Sequence, residues 1–213
     1  MNIYIFNEEL DFVGIIDSFI SFRWVRRYHK VGEFELHLSL TYKSLKMLKK
    51  DYIIWKKDDL EAGVISYREL KQDAQGKEIL IIKGSFLTSY LGKRIIWGIE
   101  NLNTTAELAM RNLVDKNCIN PVDENRKIPL LSLSERRNFP QILNKQISYS
   151  NLLDELENIS LSSGLGFRVL VDMHYEELTF DVYEGRDLTA NQTINPPAIF
   201  ANEFENIFEQ EYM

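Results

Sequence analysis

Glu33-Phe-Glu-Leu-His-Leu-Ser-Leu40 alternates without a break. Phe34, Leu36, Leu38 and Leu40 fall on one side, and Glu33, Glu35, His37 and Ser39 on the other. A period of two marks a strand with one wet face, as in antiparallel sheets. Working back, residues 19–28 set Ile20, Phe22 and Trp24 against Ser21 and Arg23. The link His29-Lys-Val-Gly32 is of hairpin length, and Gly32 can take a positive φ. Further back, Ile3-Tyr-Ile-Phe6 and Phe12-Val-Gly-Ile-Ile16 flank an acidic turn. Working forward, residues 41–50 read as a short helix that turns Leu45 and Leu48 inward and most of its lysines outward. Strands are expected at 52–55, 62–69 and 78–84, joined by turns containing Asp58-Asp59 and Asp73-Ala-Gln-Gly76. These links leave no room for helical crossovers. Residues 1–97 therefore read as an antiparallel meander, and closure into a β-barrel-like domain would protect its edges. Phe34, Leu36, Leu38, Phe22 and Trp24 are its expected core.

The pattern changes after residue 98. Thr104-Thr-Ala-Glu107 has the form of a capping box, with Ala106, Ala109, Met110, Leu113 and Val114 following at helix spacing. Asn120-Pro121 stops that helix, and residues 120–146 read as polar and irregular. A second helix is expected over 149–162, with Leu152, Leu153, Leu156 and Ile159 inside and Gly164 at its end. Residues 167–171 and 178–183 then read as a hairpin turning at 173–177. The fold class is mainly β with α+β: a barrel-like domain over 1–97, then an α+β domain of two helices and a hairpin over 98–200. Residues 186–200 are loop-like. Residues 201–213 read as the start of a strand whose barrel lies outside this chain.

Composition narrows the function classes. Of 213 residues, only ten are Gly and five Pro, which excludes collagen-like and linker-rich chains. A formal charge of −7 suits non-specific nucleic-acid binding poorly. One cysteine, Cys118, allows no intrachain disulfide and fits a reducing compartment. The N-terminus lacks the basic and apolar regions of a signal peptide. No apolar run approaches the roughly 18 residues of a membrane span.

Little catalytic chemistry is visible. His29, His37 and His174 read as surface histidines, without the i, i+4 pairing of a helical zinc site. Cys118 reads as a plain thiol. Gly164-Leu-Gly166 precedes a strand, so it is no dinucleotide fingerprint, and neither a nucleophile elbow nor a P-loop occurs. No catalytic, cofactor-binding or metal residue is expected, and no cofactor. The carboxylates Asp154, Glu155 and Glu157 and the lysines between 43 and 57 read as solvated faces. The triplets at Asn103, Asn158 and Asn191 carry no weight without a secretory signal. The stretch Arg23-Trp-Val-Arg-Arg-Tyr28 has two readings. One is cross-strand pairing of its arginines with Glu33 and Glu35 on one sheet face. The other is an oligomer interface made by Arg23, Trp24, Arg26, Arg27 and Tyr28, because Arg and aromatic residues are enriched at such contacts.

Trp24-Val-Arg-Arg-Tyr-His-Lys-Val-Gly-Glu-Phe-Glu-Leu36 resembles the N-terminal hairpin of a tail protein of siphoviruses and prophages of Gram-positive bacteria. The resemblance continues through Leu87-Thr-Ser-Tyr-Leu-Gly-Lys-Arg-Ile-Ile-Trp-Gly98, Asn120-Pro121, Asn125-Arg-Lys-Ile-Pro129 and Tyr149-Ser-Asn-Leu-Leu-Asp-Glu-Leu156. Gly166-Phe-Arg-Val169, Asn191-Gln192, Pro196-Pro-Ala-Ile-Phe200 and Gln210-Glu-Tyr212 complete it in order. The family is similar to baseplate hub, or tail-associated, proteins at the tail tip. This resemblance implies a barrel, an inserted α+β domain and a second barrel. It also implies a homotrimer whose six barrels join the tail tube to the distal tip. Its partners would be tail-tip and tail-tube proteins, with no membrane and no sequence-specific nucleic acid. Its place would be the virion tail, or the bacterial cytoplasm when expressed from a prophage. A fragment ending before the second barrel would be monomeric. The alternatives are a module binding host cell-surface saccharide and a cell-wall glycan hydrolase.

Overall fold

The alternating stretch lies in the interior of a seven-stranded sheet in the computed structural model, which describes residues 1–72 and 76–201. The elements before residue 87 are β1 (Ile3–Phe6), β2 (Phe12–Ile16), β3 (Ser21–Val25), β4 (Glu33–Ser39), α1 (Tyr42–Met47), β5 (Ile53–Lys56), β6 (Ala62–Gln72) and β7 (Glu78–Phe86). The order across the sheet is β2-β1-β5-β6-β7-β4-β3, and every neighbouring pair is antiparallel. This differs from a simple meander. Only β5, β6 and β7 follow one another, and the two hairpins are added at opposite edges. Turn residues set the pairing of sequence neighbours, while the choice of edge is made by the core. No ladder joins β2 to β3 among the described residues.

One face of the sheet encloses an apolar core. Ile3, Ile5, Phe34, Leu36, Leu38, Ile54, Ile65, Leu80 and Ile82 meet there, and α1 adds Met47 and Leu48. The Thr41 hydroxyl caps α1 at the Ser44 amide, and the Ser44 hydroxyl accepts from the Thr41 amide. Phe22 and Trp24 are only half-buried against this core, because β3 is an edge strand with one neighbour. The Phe34 ring lies over Gly63 and Gly84. A Cβ on Gly84 would stand 1.9 Å from the Val64 carbonyl oxygen and 2.6 Å from the ring. The β6–β7 register shifts beside it, between Ile65 and Tyr67.

The later elements are β8 (Ile99–Thr105), α2 (Ala106–Val114), β9 (Leu131–Leu133), β10 (Ile142–Ser148), α3 (Leu152–Ser163), β11 (Gly166–Asp172) and β12 (Glu177–Tyr183). The expected hairpin is β11–β12, and β9 adds to it in parallel. Gly164 closes α3 in the left-handed conformation, φ 77°. Two features depart from the sequence reading. The polar stretches at 99–105 and 142–148 are strands, paired as a two-stranded ribbon. The helix cap is Thr105, which accepts from the Leu108 amide. Glu107 instead turns its buried carboxylate to the amides of Arg137 and Phe139, at 2.7 and 3.0 Å. Accepting two bonds from a distant loop outweighs accepting one at its own helix terminus.

A second core crosses residue 98. Phe6, Ile53, Ala62 and Val64 from the sheet pack with Leu87, Leu91, Ala109, Met110, Leu113, Leu156, Phe167 and Phe180. Residues Met1–Tyr183 consequently form one compact unit. Residues 184–201 belong to a second, and its described part has neither helix nor strand. It is held by local bonds, such as Gln192 accepting from the Asn195 amide at 2.7 Å. The strand expected over residues 206–213 lies outside the described residues.

Candidate functional site

The stretch 23–28 turns its side chains onto partners within the chain. Register places Arg23 opposite Glu35 and Trp24 opposite Phe34. On the wet face, Arg23 lies 3.6 Å from both Glu33 and Glu35, and Arg27 lies 2.9 Å from Glu33. Glu35 also meets His37 at 2.7 Å and Lys83 at 3.3 Å. The bond from His37, reinforced by Lys83, holds the Glu35 carboxyl below the usual carboxylate range. Trp24 lies 4.4 Å, centroid to centroid, from the Phe86 ring, and also packs on Phe22 and Phe34.

Past β3 the chain reaches its own second half. Tyr28 Oη donates to the Gly164 carbonyl at 2.9 Å, and its ring meets Tyr183 edge-on at 5.2 Å. His29 is half-buried, unlike the expected surface histidine, because Nδ1 lies 2.7 Å from Ser160 Oγ on α3. Arg26 pairs with the buried Asp59 and lies 3.5 Å from Glu61, while Lys56 reaches Asp59 at 3.0 Å. Beyond them, Asp181 is buried between Arg137 and Arg168, at 2.9 and 3.0 Å. The Arg168 guanidinium also covers the Tyr183 ring at 4.2 Å. The partners of Tyr28 and His29 lie more than a hundred residues away in the chain, so no local signal announces them.

Asp59 and Glu61 deserve a chemical test. Burial pushes the Glu61 carboxyl up to about 7, against the pull of Arg26. Asp59 is also opposed by burial, yet bonds from Arg26, the Glu61 amide and Lys56 hold it below the usual range. Two carboxyls with separated pKa values are the pattern of a general acid and base. Here both are buried, and the Arg26 contacts to Asp59 and Glu61, with Lys56 on Asp59, tie the end of β3 to the β5–β6 turn. Cys118 is buried, and its thiol is pushed up to about 12 by burial. Among the described residues no group of three His, Cys, Asp or Glu is placed to hold a metal. No helix of the described residues is long and apolar enough to cross a membrane.

The exposed side chains that stand out lie elsewhere. Trp97 is 73% exposed and Tyr149 62%, and their rings meet edge-on at 5.9 Å. A pocket beside Trp97 is lined by Val122, Asp123 and Arg126. Sequence reasoning missed this pair because its members lie some fifty residues apart, one at the end of the expected first domain and one at the expected start of the second helix.

Solved structures of similar fold include two tail proteins and a chain of a VgrG complex. The prophage tail protein gp18 of Listeria monocytogenes superposes with a TM-score of 0.56 at 14% identity, over 84% of this chain and 50% of that one. A tail protein of Neisseria meningitidis gives 0.53 at 12% identity, over 84% and 49%. A chain of the Francisella PdpA–VgrG complex gives 0.52 at 15% identity, over 98% and 32%. This chain therefore spans about half the length of the first two. A search of curated protein sequences found no match. The family model described as Siphovirus ReqiPepy6 Gp37-like protein matches residues 2–213. With that match running through both cores and the β3–β4 hairpin, the chain belongs to the Siphovirus ReqiPepy6 Gp37-like family.

Proposed function

We propose that the chain is a structural component of the tail tip, a baseplate hub element that links the tail tube to the distal tip without catalysis. The observation that carries this reading is the family match over residues 2–213. The open sheet supports it. Among the described residues its terminal strands β2 and β3 each pair on one side only, and an unpaired edge is a template for pairing with another chain. In this reading residues 1–97 supply a barrel-like sheet completed by neighbours, and residues 98–183 supply an α+β part that shares a core with it. The partners are tail-tube and tail-tip proteins, three copies assemble around the tail axis, and the place is the virion tail. The Arg23, Trp24, Arg26, Arg27 and Tyr28 stretch acts in assembly mainly by holding β3 rigid, since its side chains have partners within the chain.

Light scattering and peptidoglycan turnover on the purified chain test this. The expected results are a monomer or weak oligomer in isolation, assembly on mixing with tail-tube protein, and no hydrolysis. Turnover of peptidoglycan that is abolished by Glu61→Gln would overturn the non-catalytic part. Failure to join tail-tube protein or any tail-tip protein would overturn the structural part.

A further inference from the structure

The ribbon made by β8 and β10 has one face in the core and one in solvent. Leu102 and Ile147 point inward and are buried. The inner side also carries the ribbon's charges, paired as Lys145 with Glu155 at 2.5 Å and Glu100 with Lys116 at 2.8 Å. Register puts Asn103 opposite Asn144 and Asn101 opposite Gln146 on the outer face. All four amides are exposed. At its two ends that face carries Ile99 opposite Ser148 and Thr105 opposite Ile142. No charged residue occurs on it, in a chain whose residues are 27% charged. The ribbon is about 20 Å long. Trp97 and Tyr149 stand just beyond its Ile99–Ser148 end, in mutual contact and exposed.

From this face we infer a binding site for a neutral saccharide chain. An amide offers both a donor and an acceptor, which matches a hydroxyl, itself both. Gln146 Nε2 donates to Asn101 Oδ1 at 2.8 Å, which aligns one amide pair on the exposed face. The aromatic pair supplies an apolar platform for a sugar ring's C–H face beside polar tips. The ribbon's outer face suits an uncharged ligand, and charge enters only beside Trp97, where Asp123 and Arg126 line the neighbouring pocket. A protein edge would also fit a ribbon, but paired amides and a solvent-facing aromatic platform favour the sugar. This site is independent of the hub assignment.

The test is titration of the full chain with neutral hexasaccharides of N-acetylglucosamine, α-linked glucose and β-linked glucose, with a hyaluronan hexasaccharide as the charged control. The readouts are side-chain amide resonances and tryptophan fluorescence. At least one neutral sugar is expected to shift the amides of Asn101, Asn103, Asn144 and Gln146, with a Kd of about 1 mM or tighter. Trp97→Ala is expected to weaken that binding roughly tenfold. Asn103→Ala combined with Asn144→Ala is expected to weaken it comparably, with unchanged thermal stability in both variants. Absence of shifts for every neutral sugar, equal binding by these variants, or equal binding of hyaluronan would overturn the site. Concentration-dependent broadening of the same amides without sugar would assign the face to a protein contact and would overturn it too.

Discussion

Trp24 shows how one residue can look like an interface and serve as core. Its ring covers Phe22, Phe34 and Phe86, while its buried Nε1 has no acceptor among the described residues. A buried donor without an acceptor costs stability, so the indole nitrogen contributes nothing here. Trp24→Phe should therefore change stability by less than about 1 kcal/mol, whereas Trp24→Ala should cost roughly 3 kcal/mol, read by denaturant unfolding. Gly84 is a second decisive residue. Gly84→Ala should cost at least 1–3 kcal/mol, because the clashing Val64 oxygen is backbone and cannot rotate away. Glu61 makes stability depend on pH. The folded chain holds its proton up to about pH 7, while the unfolded carboxyl titrates near 4.3. Its contribution therefore falls as pH rises through that interval and is lost above about 7, at a cost on the order of 3–4 kcal/mol. Glu35 and Asp59, held low, act in the opposite direction and below that window. Glu61→Gln should flatten the Tm profile between about pH 5 and pH 8, and an unchanged slope would show that Glu61 is not the titrating group.

At the scale of elements, legibility followed periodicity. β4 was legible because its inward residues are all large and apolar and its outward ones all polar. β8 and β10 were not, because half of their outward residues are amides, two more outward positions are isoleucines, and their inward set includes Glu100, Thr104 and Lys145, so no apolar rhythm remains. The shift of the α2 cap to Thr105 was hidden for another reason. Whether Glu107 serves its own helix or a loop thirty residues away depends on where residues 137–139 fold. Glu107→Ala should strip two amides of their acceptor and cost roughly 1–3 kcal/mol for each bond lost. Hydrogen exchange at Arg137 and Phe139 should accelerate in that variant, and unchanged protection would show that water replaces the carboxylate. The candidate oligomer stretch was legible as unusual, since three arginines beside aromatics are visible in any sequence. Its true partners, Glu61, Ser160, Gly164 and Tyr183, are brought in only by the tertiary fold.

At the scale of the whole molecule, the second core decides cooperativity. Sheet residues such as Ile53 and Val64 belong to the same core as residues of the helices that begin after residue 105. Calorimetry should therefore record one transition for residues 1–183, not separate transitions on either side of residue 98. The proposed role in assembly rests on the family match and on the edges of β2 and β3 left unpaired among the described residues. Cryo-electron microscopy of purified phage tails is the most direct test. The seven-stranded sheet should fit density in a ring at the distal end of the tail tube, in three copies around the axis, with β2 or β3 against a neighbour. Intact tails whose distal density has no place for this sheet, or tails that lack the chain altogether, would contradict the account.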